Sequence, residues 1–507
     1  MSRHAEMTAL RWISFILDWR CITTALVFVV TYLLGHFYYR VSKYPKGPFP
    51  LPLVGNLLAL RHVTDLHAKS TELSKTYGDV FTLWMAHRPM VMLNSYAVIR
   101  EALVERRHDF AGRFPTRTGA LQNQGNHDIV FEDYNPYWKA LRKVTASASR
   151  RYAASESLEH LCTDIVDTFA DSLTEGPQMM DFRKPIFSMF CNVIGVAIYG
   201  TRLHEAYIES LEDINRRFYR ISPNGLPSDI APFLAVLYYN KEKKMAALFR
   251  ELKELIQKLF SRAEETYTPG STENFTHAML AAREEAIKED RTDAQYLTRP
   301  NMILATMNIF NAGTNTSTAT FQWLLLRIAK EHDIQDRIQK EIEDNIGSAP
   351  PVYGDREKLP FTEACLLETL RMHPAAPLGL PHNTTTNTRV GNWTIPKDTG
   401  LWYNIYKVHR DTEHWESPEE FRPERFINPV SRKVCTDVGP LITFGQGTRC
   451  CPGEKLAQMD MFYLLVRLMQ RFRVSVPRGA SGVNWKGKGS SLFLHPAPQN
   501  FVFTRRR

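Results

Sequence analysis

In the stretch FGQGTRCCPG, residues 444–453, a cysteine follows glycines and an arginine and precedes a helix-forming run, EKLAQMDMFYLLVRLM. A thiolate ligates iron well only while it stays deprotonated and shielded from water and oxidant. Glycines let backbone N–H groups approach the sulfur, and the positive end of the following helix favours its charge. Cys451 is the residue so placed, in a loop that Phe444 opens and Gly453 closes. Arg449, two residues earlier, adds a cation suited to an anionic group on the same cofactor. Cys450 falls outside the Arg-x-Cys-x-Gly spacing and reads as a bystander.

Other residues could serve the same chemistry. Trp138 and Arg142 in NPYWKALRK share one helix face and can offer an indole N–H and a guanidinium to one carboxylate. Packing plus solvation is the plainer reading of such a pair. Residues 301–323, NMILATMNIFNAGTNTSTATFQW, make an apolar helix too uniform for a surface, with Ala312, Gly313, Thr314, Asn315, Thr316 and Ser317 at its middle. Gly313 leaves room for a diatomic ligand, and the Thr316 hydroxyl can bond a carbonyl or an ordered water. A buried helix with back-bonded threonines is the alternative. Glu368 and Arg371 in LLETLRMHP stand at i,i+3, where an exposed pair is worth little.

These motifs, in this order, resemble the cytochromes P450. The loop matches the family's Phe-x-x-Gly-x-Arg-x-Cys-x-Gly, the central helix its Ala-Gly-x-acid-Thr, and EEFRPERF, which carries Arg425, the segment before the haem. The resemblance runs from a proline-rich strap to the C-terminus. DFAGRFP, VFEDYNPYW and APLGLPH bring it nearest the animal microsomal branch of steroid 17-hydroxylases and aryl-hydrocarbon hydroxylases.

That resemblance implies a mainly α fold with a small β region, one catalytic domain over 57–507, and haem b as cofactor. Cys451 would ligate the iron; Trp138, Arg142, His382 and Arg449 would meet propionates; Phe444 and Gly453 would shape the loop. Ala312, Gly313, Asn315 and Thr316 would form the oxygen-activation segment, and Glu368, Arg371 and Arg425 a buried structural triad. The implied activity is insertion of one oxygen atom of dioxygen into a small lipophilic substrate of steroid, fatty acid or xenobiotic class. Ile309, Ala312, Leu378 and Leu380 are pocket candidates. Electrons would come from an NADPH-dependent flavoprotein reductase, with cytochrome b5 as a second candidate donor. GQGTRC lacks the third glycine of a nucleotide-binding GxGxxG, so the reductase is expected as a separate chain.

Two departures stand out. Asn315 occupies the acid position, and an amide cannot give and recover a proton as a carboxyl does. Thr443 replaces a proline before Phe444. Asn315 keeps open a haem-thiolate isomerase or lyase acting on peroxides, and a non-catalytic haem-bearing lipid binder also stays open.

These groups need a large scaffold, and the chain has 507 residues without repeat or Gly/Ser linker. Its 63 basic and 54 acidic residues leave a net charge of +9, but the basic residues are scattered without interleaved aromatics, which excludes nucleic acid. A solvated face is the plainer reading of this charge, and a surface that meets anionic lipid or an acidic redox partner is the alternative. Seven cysteines without CxxC spacing fit a reducing compartment. After an N-terminal segment, 1–20, residues 21–39 lack formal charge and match the ~20 needed for a transmembrane helix. Prolines 45, 48, 50 and 52 then make a stiff strap over 40–56. Arg3, Arg11 and Arg20 before the span nearly balance Arg40, Lys43 and Lys46 after it. The family resemblance therefore supplies the orientation: single-pass in the endoplasmic reticulum, catalytic domain cytosolic, sequons at Asn274 and Asn392 unmodified.

Overall fold

The structure, a computed structural model, describes residues 19–222, 225–435, 438–477, 485, 487–489 and 493–506. Arg3 and Arg11 of the N-terminal segment, and Arg507, lie outside them. Helix α1 (Trp19–Val41) runs two residues past the uncharged stretch at either end. Leu26, Val27, Phe28 and Leu33 along it are more than half exposed, a pattern suited to lipid rather than water.

The strap beyond α1 is fastened. Asn56 donates to the Pro48 and Phe49 carbonyls at 3.1 and 3.2 Å and accepts the Trp84 N–H at 2.7 Å. Phe37 at the end of α1 and Tyr44 in the strap both meet Trp84 edge-on, at 5.4 and 5.5 Å. Trp84 belongs to strand β1 (Val80–Met85), antiparallel to β2 (Arg88–Leu93). After β3 (Gly112–Arg113) and α2 (Arg117–Asn123) comes α3 (Pro136–Ala153), where Asn135 caps the Trp138 N–H and Pro136 presets the first turn.

Helix α4 (Glu156–Ser172), strand β4 (Gln178–Asp181), and helices α5 (Arg183–Tyr199), α6 (Glu205–Ile221) and α7 (Tyr239–Glu265) follow. They surround α8 (Arg299–Lys330), which packs along α5 and α7 and is apolar on nearly every side, as a core helix must be. Helix α9 (Pro360–Met372), strands β5 (His382–Asn383) and β6 (Gly400–Tyr403), helix α10 (Glu454–Arg471), and strands β7 (Phe472–Ser475) and β8 (Asn500–Arg505) complete the frame. One sheet has the order β1-β2-β6-β5-β3, with β2 and β6 parallel; its register sets Arg113 opposite His382. A second sheet, β4-β8-β7, is antiparallel. Helix α10 lies against α3 and α4. The architecture is mainly α with small sheets, as the sequence resemblance implies.

Candidate functional site

The loop before α10 closes on itself, because the Cys451 N–H donates to the Phe444 carbonyl at 2.7 Å. Gly445 and Gly447 have φ of +71° and +72°, and a Cβ on Gly447 would fall 1.6 Å from the Leu103 carbonyl oxygen. Only glycine fits there. Thr443, in the proline position, donates to the Leu370 carbonyl at 2.8 Å and so ties the loop to α9. Cys451 is exposed although it lies deep in the protein, as expected of a residue lining a cleft. Burial pushes its thiol up to about 11, while the Gly453 N–H and Arg142 pull the other way. A cation facing the sulfur would complete the shift to thiolate.

Cations crowd one side of this loop. Arg449 donates to the Ala111 carbonyl at 2.7 Å and the Glu132 carbonyl at 2.9 Å, and lies 4.0 Å over the Trp138 ring. Arg113 donates to the Val130 carbonyl at 2.9 Å, and Arg142 to the Cys450 carbonyl. Burial lowers all three, Arg113 to about 10 and Arg449 to about 8, the latter with Arg113 and Arg142 adding repulsion. Among the described residues none of the three forms an ion pair, and Arg449 Nη1 is buried without a partner. Buried cations of this kind call for an anion. The two carboxylates of haem b would answer that need, and Cys451 could offer a thiolate to its iron, so the donor set fits the cofactor.

Trp138 and His382 differ in detail from the simplest expectation. The indole N–H is occupied by the Ile129 carbonyl at 3.1 Å, so Trp138 offers its ring face to Arg449 rather than its N–H to a carboxylate. His382 Nδ1 lies 2.7 Å from the Phe110 carbonyl, which can only accept, so that nitrogen carries the proton. Burial, then Arg113, hold the ring neutral, with Nε2 as an acceptor.

Midway along α8 the burial breaks. Residues 301–308 and 317–326 are buried, whereas Ala312 is exposed and Ile309, Asn311, Gly313, Asn315 and Thr316 are partly so. The Thr316 hydroxyl donates to the Ala312 carbonyl at 2.7 Å. Gly313 also faces α5: a Cβ there would come within 3.3 Å of the Ile194 side chain, so its lack of a side chain suits close helix packing as well. Of the pocket candidates, Leu378 is wholly buried in the apolar cluster of the first sheet, leaving Ile309, Ala312 and Leu380.

Below the loop, Glu368 receives Arg371 at 2.7 and 2.9 Å and Arg425 at 3.1 Å, as well as the Arg422 N–H at 2.9 Å. Glu368 and Arg371 are fully buried, so this network is costly to break. Arg113 is the functional candidate that sequence reasoning passes over; the one signal for it is its place in the GRF wording, and the structure pairs its strand directly with that of His382.

Comparison with known proteins shows the family. Residues 45–503 match the family model described as Cytochrome P450. The chain is 29% identical to a steroid 17-alpha-hydroxylase/17,20 lyase of Peromyscus leucopus over 92% of this chain and 94% of that one. It is 29% identical to the protein of the same name from Squalus acanthias (91% and 92% covered) and 30% to that from Gallus gallus (88% and 89%).

Proposed function

The chain belongs to the cytochrome P450 family of haem b monooxygenases, and on that premise we propose that it oxygenates a small steroid-like substrate with electrons from an NADPH-dependent flavoprotein reductase. The observation that carries the site assignment is the trio of Arg449, buried, and Arg113 and Arg142, half-buried, which lack counter-ions among the described residues, on the side of the loop that carries the accessible sulfur of Cys451. Cys451 holds the iron, the three guanidiniums and the Trp138 platform hold the propionates, and the Glu368 network fixes the loop from below. When bound, the haem supplies the iron centre at which dioxygen is activated. Thr316 can release its bond to Ala312 and pass a proton through ordered water. The names of the relatives motivate the steroid class.

A microsomal placement, with the catalytic domain of residues 57–507 on the cytosolic side, is the placement the family resemblance suggests, and two apolar surfaces at one hairpin support its resting on a membrane. Trp84 of β1 meets Phe37 of α1, and His87 in the adjoining turn meets Phe233 at 6.3 Å. Phe233, Val236 and Leu237 are 59, 83 and 79% exposed, and Phe49 and Leu53 of the strap are 72 and 78% exposed. This surface would rest on lipid and admit a lipophilic substrate from it. The net positive charge suits an acidic redox partner such as the reductase, with cytochrome b5 as a second donor.

The test is reconstitution of the full chain with reductase in lipid vesicles, with steroids, fatty acids and xenobiotics offered under labelled dioxygen. NADPH-dependent label in a steroid product is the expected result. Turnover of a lipid hydroperoxide without NADPH would favour the isomerase reading, and spectral binding without product the lipid binder.

A further inference from the structure

The loop between α2 and α3 supplies backbone carbonyls to three members of the cofactor cradle: Ile129 to Trp138, Val130 to Arg113, and Glu132 to Arg449. One side chain sets the shape of that loop. Asp128, fully buried, accepts the Phe131 and Glu132 N–H groups on Oδ1 at 2.9 and 2.8 Å. Its Oδ2 accepts from Gln122 of α2 at 3.1 Å and from Asn308 of α8 at 2.8 Å. Gln122 also donates to Asn308 Oδ1 at 2.9 Å, which closes a three-residue ring. A buried carboxylate with four donors and no directly bonded cation is expensive, and its spare charge acts on the guanidiniums nearby. Asp128 opposes the burial-driven loss of charge on both Arg113 and Arg449.

We propose that Asp128 is a positioning residue for the haem, ordering the carbonyl shelf behind its propionate-binding arginines and tying that shelf to α8 one turn before Ala312. The inference rests on the haem placement proposed above. Asp128 touches neither the substrate nor the iron; it acts through Arg113, Arg449 and Trp138. Groups that orient ligands from behind in this way are typically worth 10- to 100-fold in cofactor affinity.

The test uses the full-length holoprotein carrying Asp128→Asn or Asp128→Ala. Two readouts are needed: the rate of haem transfer to excess apomyoglobin, and the midpoint potential of the iron. Asp128→Ala loses the anchor for both N–H groups and should transfer haem about tenfold faster. Asp128→Asn keeps an acceptor for them and should transfer haem at an intermediate rate. Its lost negative charge should also raise the midpoint potential. Should the alanine variant fail to fold, the isosteric asparagine decides alone. Wild-type transfer and wild-type potential in Asp128→Asn would overturn the proposal. So would faster transfer at an unmoved potential, since packing alone predicts that. Arg449→Ala runs beside them. If it too keeps its haem as wild type does, the cradle assignment falls; if it loses haem faster while Asp128→Asn matches wild type, only the role of Asp128 falls.

Discussion

The side-chain amide of Asn215 on α6 donates to Asn315 Oδ1 on α8 at 3.2 Å, while Asn315 Nδ2 donates to the Asn311 carbonyl at 2.9 Å. Both ends of the Asn315 amide are therefore engaged, and neither can ionise. The position that carries an acid in the family's pattern here ties two helices together. Replacing Asn315 with alanine should lower stability by about 1 kcal/mol and leave the ratio of product to NADPH consumed unchanged. Thr316→Ala should cut that ratio about tenfold or more, with the balance appearing as hydrogen peroxide. Equal uncoupling in the two variants would make Asn315 part of the proton path.

Adjacent cysteines offer a clean discrimination. Cys450 has its sulfur 3.6 Å from an Arg142 nitrogen and its carbonyl bonded to the same guanidinium, whereas Cys451 is exposed. Cys450→Ser should keep the red-shifted ferrous–CO absorbance of a thiolate-ligated haem, and Cys451→Ser should lose it. The opposite pair of spectra would reverse the ligand assignment.

Gly447 is the tightest point of the loop. Its φ of +72° and the 1.6 Å approach of a Cβ to the Leu103 carbonyl exclude any side chain without backbone movement. Strain of this kind costs about 1–3 kcal/mol from the dihedral alone. Gly447→Ala should therefore yield a folded helical body with little haem, measured as the haem-to-protein absorbance ratio. Normal loading would mean that the loop can move.

Much of this was legible because the informative residues are neighbours in sequence. The loop at 444–453, the apolar stretch of α1 and the 32-residue core helix α8 each declare themselves within one window. Arg113 and Asp128 do not. Arg113 joins the site only through the β3–β5 register with His382, and Asp128 only because a loop folds back onto Asn308 of α8. Periodicity carries no trace of either pairing. Leu378 shows the converse: its sequence neighbours suggest the pocket, but it is claimed by the sheet core.

Glu368 neutralises two arginines in a site without solvent. Removing it leaves two buried guanidiniums uncompensated, a loss of about 3–5 kcal/mol. Glu368→Ala should give almost no soluble haem protein. Arg425→Ala leaves the bidentate Glu368–Arg371 pair intact and should keep a measurable fraction. Haem content per folded molecule separates the two, and equal yields would deny Glu368 its central place.

His409 links α9 to the haem loop as a neutral ring. Its Nδ1–H donates to the Arg371 carbonyl at 2.9 Å, and Nε2 accepts the Ile442 N–H at 2.9 Å. Burial is the main reason its pKa falls from 6.5 to about 3; Arg410 and Arg371 add to the fall, and the bond to Arg371 partly offsets it. Above the ordinary value both folded and unfolded rings are neutral, so nothing is lost there. Below it the unfolded chain takes up a proton that the native ring refuses until about 3, and each pH unit in that window costs the native state about 1.4 kcal/mol. Stability should thus decline as pH falls from about 6.5, and the urea midpoint followed from about pH 7 to about pH 5 measures it. His409→Gln can keep both hydrogen bonds without titrating, so its midpoint should fall less steeply. His67, lowered to about 4 chiefly by burial, contributes with the same sign, so the slope should shrink rather than vanish. Identical slopes in wild type and variant would show that the native ring takes up its proton as readily as the unfolded one.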